Sequence, residues 1–190
     1  GGSYEHGVLK KPIRKIRNGE EVTTTISAPA FFDDAVISSV YGENIIGDVT
    51  LYDPEGYWYG LALSGFGIVY NNDILSAIEI ESPTSWEALC NPELLGKLAL
   101  VNPAQSGSVT TAFEAILKNL GWERGWQVMR RAAANSRYFS ASSLKPPADV
   151  SQGDAAMGIC IDFYGRYQAQ AVQRPDGTSR IGYIDPPSAT

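Results

Sequence analysis

Cysteine and histidine are nearly absent from this sequence, which has two cysteines and one histidine among its 190 residues. Cys90 and Cys160 lie far apart, no CxxC pair occurs, and His6 has no second metal ligand close to it in the sequence. Structural zinc sites need several such ligands at short spacings, so the sequence predicts no metal site of this kind and no bound cofactor. The wide separation of the two cysteines favours free thiols over a disulfide between them.

Long hydrophobic runs are also missing. The longest candidate, residues 61–70, is interrupted by Ser64, Gly65 and Gly67 and is much shorter than the roughly 20 residues that cross a bilayer. The sequence therefore predicts no direct membrane insertion. It begins Gly1-Gly2-Ser3 without the charged or apolar segment of a signal peptide, so the start of the chain does not indicate a compartment.

Positive charge is in the minority, because 15 Lys and Arg face 21 Asp and Glu and give a net charge of −6. The one basic concentration, within residues 10–17, is followed at once by Glu20 and Glu21. A phosphate backbone is bound by a clustered basic face, so nucleic acid is not expected as a partner. Hydrophobic residues make up 44% and charged residues 19%, which is typical of a folded globular chain.

Catalytic motifs are lacking as well. No GxSxG surrounds Ser64, Ser106 or Ser108, no HExxH or Walker phosphate loop occurs, and the single histidine leaves no evident general base. The sequence therefore predicts no catalytic residues and a protein that is not an enzyme. A hydrolase with paired carboxylates stays open, although Asp33 and Asp34 lie in a polar stretch that is typical of a solvated surface.

The predicted pattern of secondary structure changes near residue 56. Residues 1–55 are predicted to be loop-rich, with a short helix at 4–9, a helix at 30–41, and turns at Pro12, Asn18-Gly19 and Asp53-Pro54. Residues 57–70 predict one or two extended segments, with Gly65 and Gly67 permitting a bend, and are interpreted as a long connecting strand. From Pro83 onward strands and helices alternate, which favours an α/β sheet with helical crossovers. Strands are expected at 97–101, 138–140, 155–161 and 180–184, and helices near 86–89, 108–119, 122–135, 149–152 and 162–173.

Polar loops follow two of these strands. Residues 102–108 join a strand to a helix, so unpaired N–H groups at the helix start would lie beside Ser106, Gly107 and Ser108 as a cradle for an anion or polar ligand. In the alternative interpretation, one serine only caps the helix. Asp162 and Tyr164 follow another strand; Asp162 could accept from a ligand or cap its helix, and Tyr164 could serve a site or pack in the core. Ligands of α/β proteins bind beyond the carboxyl ends of strands.

In this order the motifs resemble bacterial solute-binding proteins of ABC importers, within the type 2 group that contains the periplasmic ferric-ion binders. The resemblance covers most of residues 54–186. It depends on the following segments: Pro54-Glu55-Gly56-Tyr57-Trp58-Tyr59-Gly60, Ile68-Val69-Tyr70-Asn71-Asn72, Pro83-Thr84-Ser85-Trp86, Gly96-Lys97-Leu98, Pro103 to Ser108, and Val150-Ser151-Gln152-Gly153-Asp154-Ala155-Ala156.

The resemblance implies an α/β, periplasmic-binding-protein-like (type 2) lobe with a mixed sheet flanked by helices, plus part of the other lobe and the hinge strands. The ligand of such proteins lies in the cleft between two lobes. On this mapping the chain is a fragment: 1–56 is a partial first lobe, 57–70 the outgoing hinge strand, 71–175 the second lobe, and 176–190 the return strand. A periplasmic or extracellular location is implied.

The predicted ligand site comprises Ser64, Ser106, Gly107, Ser108, Ser142, Ser143, Asp162 and Tyr164. The resemblance carries over Ser106, Gly107 and Ser108 as the helix-start loop, and Ser142 and Ser143 as a polar loop that faces the cleft. Phe163 and Tyr164 fall where ferric binders have two adjacent tyrosines, and Phe163 removes one anionic oxygen that Fe(III) prefers. The implied function is therefore capture of a small polar or anionic solute for the membrane subunits of an importer, without turnover. Ferric iron, a sensory ligand-binding domain and an unrecognised α/β hydrolase are the alternatives.

Overall fold

A computed structural model describes residues 10–27, 29–46 and 49–187. The chain divides into two compact units, Gly1–Leu63 and Ser64–Thr190, called here the first and the second unit. The helix expected at 4–9 and His6 lie outside the described residues. Within the described residues, no helix is both long enough and apolar enough to cross a membrane.

The first unit begins with a β-hairpin. Strand β1 (Lys10–Arg17) pairs antiparallel with β2 (Glu20–Ser27) along their whole length. Asn18 and Gly19 form the turn with φ angles of 56° and 84°, as a two-residue hairpin turn requires. The loop-rich prediction is therefore wrong for this segment, because an Asn-Gly turn between strands rich in β-branched residues is a hairpin signal and not only a turn.

The rest of the first unit is built from short elements. Helix α1 covers Asp34–Tyr41 and begins later than predicted, because the Asp33 carboxylate caps it by accepting from Ala35 N at 2.8 Å. Strands β3 (Ile45–Ile46) and β4 (Val49–Thr50) pair antiparallel. Tyr59 forms a bridge with Tyr52, which turns this part of the predicted 57–70 strand back on its own unit. Only the last part of that segment is a strand, so the long-strand prediction is wrong.

The second unit contains a mixed five-stranded sheet in the order β7-β6-β8-β5-β9. Its strands are β5 (Phe66–Asn71), β6 (Leu98–Val101), β7 (Ser136–Ser140), β8 (Met157–Ile161) and β9 (Ile181–Ile184). β6 runs parallel to β7 and β8, whereas β5 runs antiparallel to β8 and β9. The α/β fold with a mixed sheet is confirmed.

Helices flank this sheet. They are α2 (Asn72–Ala77), α3 (Gly107–Leu120), α4 (Trp122–Ala134), α5 (Lys145–Gln152) and α6 (Asp162–Ala171). The predicted helix at 86–89 is instead a 3₁₀ helix, Trp86–Cys90, which a second one, Pro92–Leu94, follows. α5 is longer than the predicted turn at 149–152, because two prolines occupy its first turn, where a missing N–H costs nothing.

The core lies on both faces of the sheet. On one face α3 and α4 cover a cluster that includes Trp86, Leu98 and Met157; on the other, α5 and α6 cover one that includes Val69 and Cys160. A fully buried large apolar side chain contributes roughly 1.5–3 kcal/mol, so these clusters fix the helices on the sheet. Burial raises the pKa of the Cys160 thiol to about 12, and both cysteines are free, as expected.

Candidate functional site

The loops that carry the predicted ligand-binding residues all lie at one edge of the five-stranded sheet. The parallel strands β6, β7 and β8 all end there. β5 begins there because it is antiparallel to β8, with Phe66 opposite Ile161. β9 ends there because it is antiparallel to β5, with Ile184 opposite Ile68. The predicted site residues thus follow three strand ends, and Ser64 comes just before the start of β5.

The loop between β6 and α3 is held by its own polar groups. Asn102 N donates to Ser140 O at 2.8 Å, which ties this loop to the end of β7. The Asn102 side chain accepts from Ala104 N at 2.9 Å. Ser106 stands at the N-cap position of α3, but its side chain makes no capping hydrogen bond. The hydroxyls of Ser106 and Ser108 lie 3.0 Å apart and bond to each other, so the interpretation of a simple capping serine does not hold for Ser106.

The start of α3 leaves backbone donors unused. Thr110 is the first residue of the helix whose N–H bonds to a preceding carbonyl, Ser106 O at 3.2 Å. For the N–H groups of Gly107, Ser108 and Val109, no acceptor occurs within the described part of the chain. A Cβ at Gly107 would meet no atom within 4 Å, so the space beside the first N–H is open. These donors lie at the positive end of the dipole of a 14-residue helix.

The loop after β7 adds two serines. Ser142 N donates to Ser140 Oγ at 3.0 Å, and that hydroxyl donates back to Ser142 O, so the loop is pinned to the strand end. The Ser142 hydroxyl accepts from Leu144 N at 3.3 Å and is partly engaged in the turn. The Ser143 hydroxyl has no hydrogen bond to any residue that the structure describes. Neither hydroxyl donates to a described residue, and that of Ser143 is also free of any bond to the turn.

The loop after β8 provides an acid and a phenol. Asp162 is the first residue of α6 and Ile161 occupies the cap position, so the N-cap interpretation of Asp162 is wrong by one residue. Its Oδ1 accepts from Phe163 N at 2.7 Å, and Asp162 N donates to Gly65 O at 3.0 Å. Tyr164 is half-buried, and its ring centroid lies 4.2 Å from that of Phe163. The Asp162 carboxylate has no ion-pair partner among the described residues.

Sequence reasoning missed an acid at the same edge. Asp185 follows β9; its carboxylate accepts from the Tyr183 hydroxyl at 2.8 Å and forms an ion pair with Arg166, whose guanidinium lies 5.0 Å from the Tyr183 ring centroid. Burial, together with the bond to Asp185, raises the pKa of the Tyr183 phenol. Gly165 makes room for the ring, since a Cβ there would lie 2.3 Å from Tyr183 Cδ2. The alternation of Tyr183 and Asp185 at the end of a predicted strand is the signal that could have found them.

A polar cluster around the buried Asp149 joins α5 to β7. The Asp149 carboxylate accepts from the Tyr138 hydroxyl at 2.5 Å and from Lys145 Nζ at 2.7 Å. Burial alone would raise the pKa of the Asp149 carboxyl, but the hydrogen bonds from Lys145 and Tyr138 outweigh it and hold that pKa below its usual range. Burial and the bond to Asp149 raise the pKa of Tyr138. The cluster thus fixes the first turn of α5 against β7.

Two open cavities lie on the second unit. One of about 370 Å³ lies along α4 beside Trp122 and Trp126, and one of about 400 Å³ lies along α6 and includes Arg166 and Tyr183. Neither is lined by the serines at the start of α3. Within the described ranges, no group of three or more His, Cys, Asp or Glu side chains could hold a metal ion.

A family model described as bacterial extracellular solute-binding protein matches residues 30–186. The chain belongs to this family. A curated relative, the phosphoglycerate transport regulatory protein PgtC of Salmonella typhimurium strain LT2, is 28% identical over 104 residues, which are 55% of this chain and 26% of PgtC. The chain thus spans about a quarter of that relative.

Solved structures share the fold of the family. The periplasmic binding protein AfuA from Actinobacillus pleuropneumoniae, with fructose-6-phosphate bound, superposes with a TM-score of 0.58 at 18% identity over 72% of this chain and 44% of that one. The ferric binding protein from Campylobacter jejuni gives 0.52 at 17% identity over 72% and 43%. The resemblance to periplasmic binding proteins, ferric binders included, is confirmed. The family and these neighbours are described as binding proteins and not as enzymes.

Proposed function

We propose that this solute-binding chain captures a small anionic solute at the described edge of the second unit and presents it to the membrane subunits of an ABC importer, without chemical turnover. The observation that carries the proposal is the start of α3. Three N–H groups, at residues 107–109, have no acceptor among the described residues and lie beside the two hydroxyls of Ser106 and Ser108. Such donors bind an anion with neither a metal nor a change of protonation.

The solute class that fits best is a phosphorylated organic compound. A phosphate group offers several acceptor oxygens to the α3 start and to Ser143. The carboxylate of Asp162 would repel phosphate and instead accept from a hydroxyl of the solute, as would the carboxylate of Asp185 once the solute lies along the edge. The names of two matched proteins, which mention phosphoglycerate and fructose-6-phosphate, support this class.

The remaining parts of the proposal follow from the family. The second unit would be the second lobe and the first unit would belong to the other lobe, with the connections between them in the segments that contain the start of β5 and the end of β9. A periplasmic or extracellular location fits a family that is described as extracellular. Ser64 would contribute its exposed hydroxyl beside the start of β5.

Gly107→Pro tests the anion cradle. Proline is well accepted at the first position of a helix, and Ser106 already has the extended backbone that precedes proline, with φ −139° and ψ 108°. The substitution thus removes one N–H donor and leaves the helix intact. We expect the Kd for fructose-6-phosphate or 3-phosphoglycerate, measured by calorimetry, to rise at least about tenfold, or roughly 1.4 kcal/mol.

Gly107→Ala is the matched control, because it adds a Cβ into open space and keeps the N–H. Its affinity should equal that of the original protein. If a folded Gly107→Pro variant binds the solute as tightly as the original protein, the start of α3 is not part of the binding site.

Ferric iron is the second candidate, because the Tyr164 phenol has no hydrogen bond among the described residues and one fold neighbour is a ferric binding protein. With Phe163 in place of a second tyrosine we expect a colourless protein with weak uptake of ferric ion. Phe163→Tyr should strengthen uptake and produce a phenolate-to-iron absorbance. A coloured original protein that loses its colour in Tyr164→Phe would make iron the natural cargo.

A sensory role is a candidate of another class, because the name of the matched PgtC protein is that of a transport regulatory protein. Binding of the same solute would then be read by a signalling partner and not by an importer. A hydrolase would instead show turnover of a phosphorylated solute that Ser106→Ala or Asp162→Ala abolishes. For a binding protein we expect no turnover of the phosphorylated solute, either by the original protein or by these variants.

A further inference from the structure

Charged side chains are unevenly paired at the edge of the sheet that carries the predicted ligand-binding residues. The segments at this edge are 64–66, 102–110, 141–148, 161–167 and 184–187, and their charged residues are Lys145, Asp162, Arg166 and Asp185. Lys145 Nζ lies 2.7 Å from a carboxylate oxygen of Asp149, and Arg166 is paired with Asp185. Asp162 has no ion-pair partner among the described residues. These segments therefore offer a solute one unpaired negative charge and no unpaired positive charge.

The two acidic residues of this edge lie close together around Gly65. Asp162 N donates to Gly65 O at 3.0 Å, and a Cβ at Gly65 would lie 3.9 Å from Asp185 Oδ1. Burial raises the pKa of the Tyr183 phenol most, but the hydrogen bond to Asp185 and the charge of Asp162 raise it too. Both carboxylates thus act on the same hydroxyl. Asp162 and Asp185 are called here the acidic pair.

The acidic pair lies beside the loop that leads to the start of α3. β6 and β8 are parallel neighbours with Leu98 opposite Met157, so the two strands end almost level and about 4.8 Å apart. Residues 102–106 follow β6 directly, and Asp162 follows β8 directly. A solute whose phosphate group lies at the start of α3 therefore has the acidic pair next to its remaining part.

The acidic pair receives a hydroxyl and an anionic group of a solute differently. A hydroxyl donates to a carboxylate, which accepts with both of its oxygens. A second anionic group is repelled by Asp162 and finds the guanidinium of Arg166 already bound to Asp185. If Arg166 moved to that group, Asp185 would become a second unpaired negative charge beside it.

On the basis of the proposed function, we infer that Asp162 and the Asp185–Arg166 ion pair make the site selective for phosphate esters whose remaining part is neutral and hydroxylated, against those that carry a second anionic group. Sugar phosphates and polyol phosphates belong to the first class, and phosphorylated carboxylic acids belong to the second. Asp162 repels the second charge, whereas Asp185 neutralises Arg166 and accepts from a hydroxyl. Affinity for the phosphate group itself depends on the start of α3.

Glycerol 3-phosphate and 3-phosphoglycerate are matched probes, because they differ only in a hydroxymethyl group against a carboxylate. We expect calorimetry to show that the original protein binds glycerol 3-phosphate at least about tenfold more tightly. Equal or tighter binding of 3-phosphoglycerate would overturn the selectivity and leave the anion site at α3 standing. If the protein binds neither compound, nor fructose-6-phosphate, the proposed function fails and the selectivity fails with it.

Two substitutions should weaken the preference for glycerol 3-phosphate. Asp162→Asn removes the repelling charge, and Asp185→Asn frees the Arg166 guanidinium for a solute carboxylate. In each variant the ratio of the two Kd values should fall at least about fivefold, because a like-charge repulsion is lost or an ion pair is gained. This ratio separates selectivity from a merely structural role, since a damaged site would bind both compounds less tightly.

Asp73→Asn is the matched control for the loss of a carboxylate. Asp73 pairs with Arg174, and the exposed fractions of these side chains, 57% and 50%, are close to the 51% and 60% of Asp185 and Arg166. Asp73 lies in α2, which follows the opposite end of β5. Its ratio of Kd values should equal that of the original protein. A ratio that stays unchanged in both site variants, or falls equally in Asp73→Asn, would overturn the selectivity.

Discussion

The two units of this chain differ sharply in how much apolar surface they bury. The buried hydrophobic side chains of the described residues all belong to the second unit, from Ile68 to Ile181. In the first unit Phe31 is 74% exposed and Leu61 is 97% exposed, although its helix and strands are as regular. Regular backbone is therefore no measure of stability here: the second unit closes its own core, whereas the described residues of the first unit bury no large apolar side chain.

The largest expected effect tests that core. Leu98 is fully buried in β6, so Leu98→Ala should lower the free energy of unfolding of the second unit by about 2–5 kcal/mol through lost burial and a cavity. Val40 in α1 is 66% exposed, and Val40→Ala should change stability by no more than about 0.5 kcal/mol. Urea unfolding followed by tryptophan fluorescence measures both. Similar losses in the two variants would mean that the first unit has a core of its own.

A second prediction compares two ion pairs. Asp149 is buried and bonded to Lys145 and Tyr138, whereas Arg14 and Glu21 in the hairpin have side chains 78% and 61% exposed. Asp149→Asn should cost about 1–3 kcal/mol, because it removes charge-assisted bonds from a buried group. Glu21→Gln should change the free energy of unfolding by about 0.5 kcal/mol or less.

The acid dependence follows from the sign of the pKa shift of Asp149. Its pKa is lower in the folded state, so its contribution to stability is complete above the ordinary carboxyl pKa and is lost as the pH falls through the folded value. The original protein should therefore lose stability below about pH 4, and Asp149→Asn should lose less in that window. If the free energy of unfolding falls equally with decreasing pH in the original protein and in Asp149→Asn, Asp149 does not contribute to the acid dependence of stability.

The difference in burial between the two units also explains which parts of the fold could be predicted from the sequence. In the second unit, the spacing of apolar residues and the polar residues between elements agree with the observed strands and helices. The strand-to-helix order and the loops at Ser106 and Asp162 were therefore predictable. The acid at Asp185 was missed because its importance depends on β9 lying beside β5, a long-range pairing that no local pattern encodes. The site roles themselves stay predictions.

The first unit was harder to predict for a physical reason. The hairpin was missed although Asn18-Gly19 marked its turn, because the strands carry charges where a buried sheet would carry alternating apolar residues. The segment at 57–70 was rich in aromatic residues and was interpreted as one strand. Tyr59 instead bonds through its hydroxyl to Ala30 O at 2.7 Å, so the first part of that segment folds back onto its own unit.

The most local of the expected losses concerns the cap of α1. Asp33 accepts from Ala35 N at 2.8 Å on a helix with no buried residue, so capping should account for a large share of its stability. Asp33→Ala should cost about 1 kcal/mol, which speeds hydrogen exchange of the α1 amides about fivefold. Asp33→Asn keeps the capping oxygen and should exchange nearly as slowly as the original. Because α1 has no buried residue, the cost should stay local and the amides of β8 should keep their rates. If the β8 amides also exchange faster, the two units unfold together and the contrast between them fails.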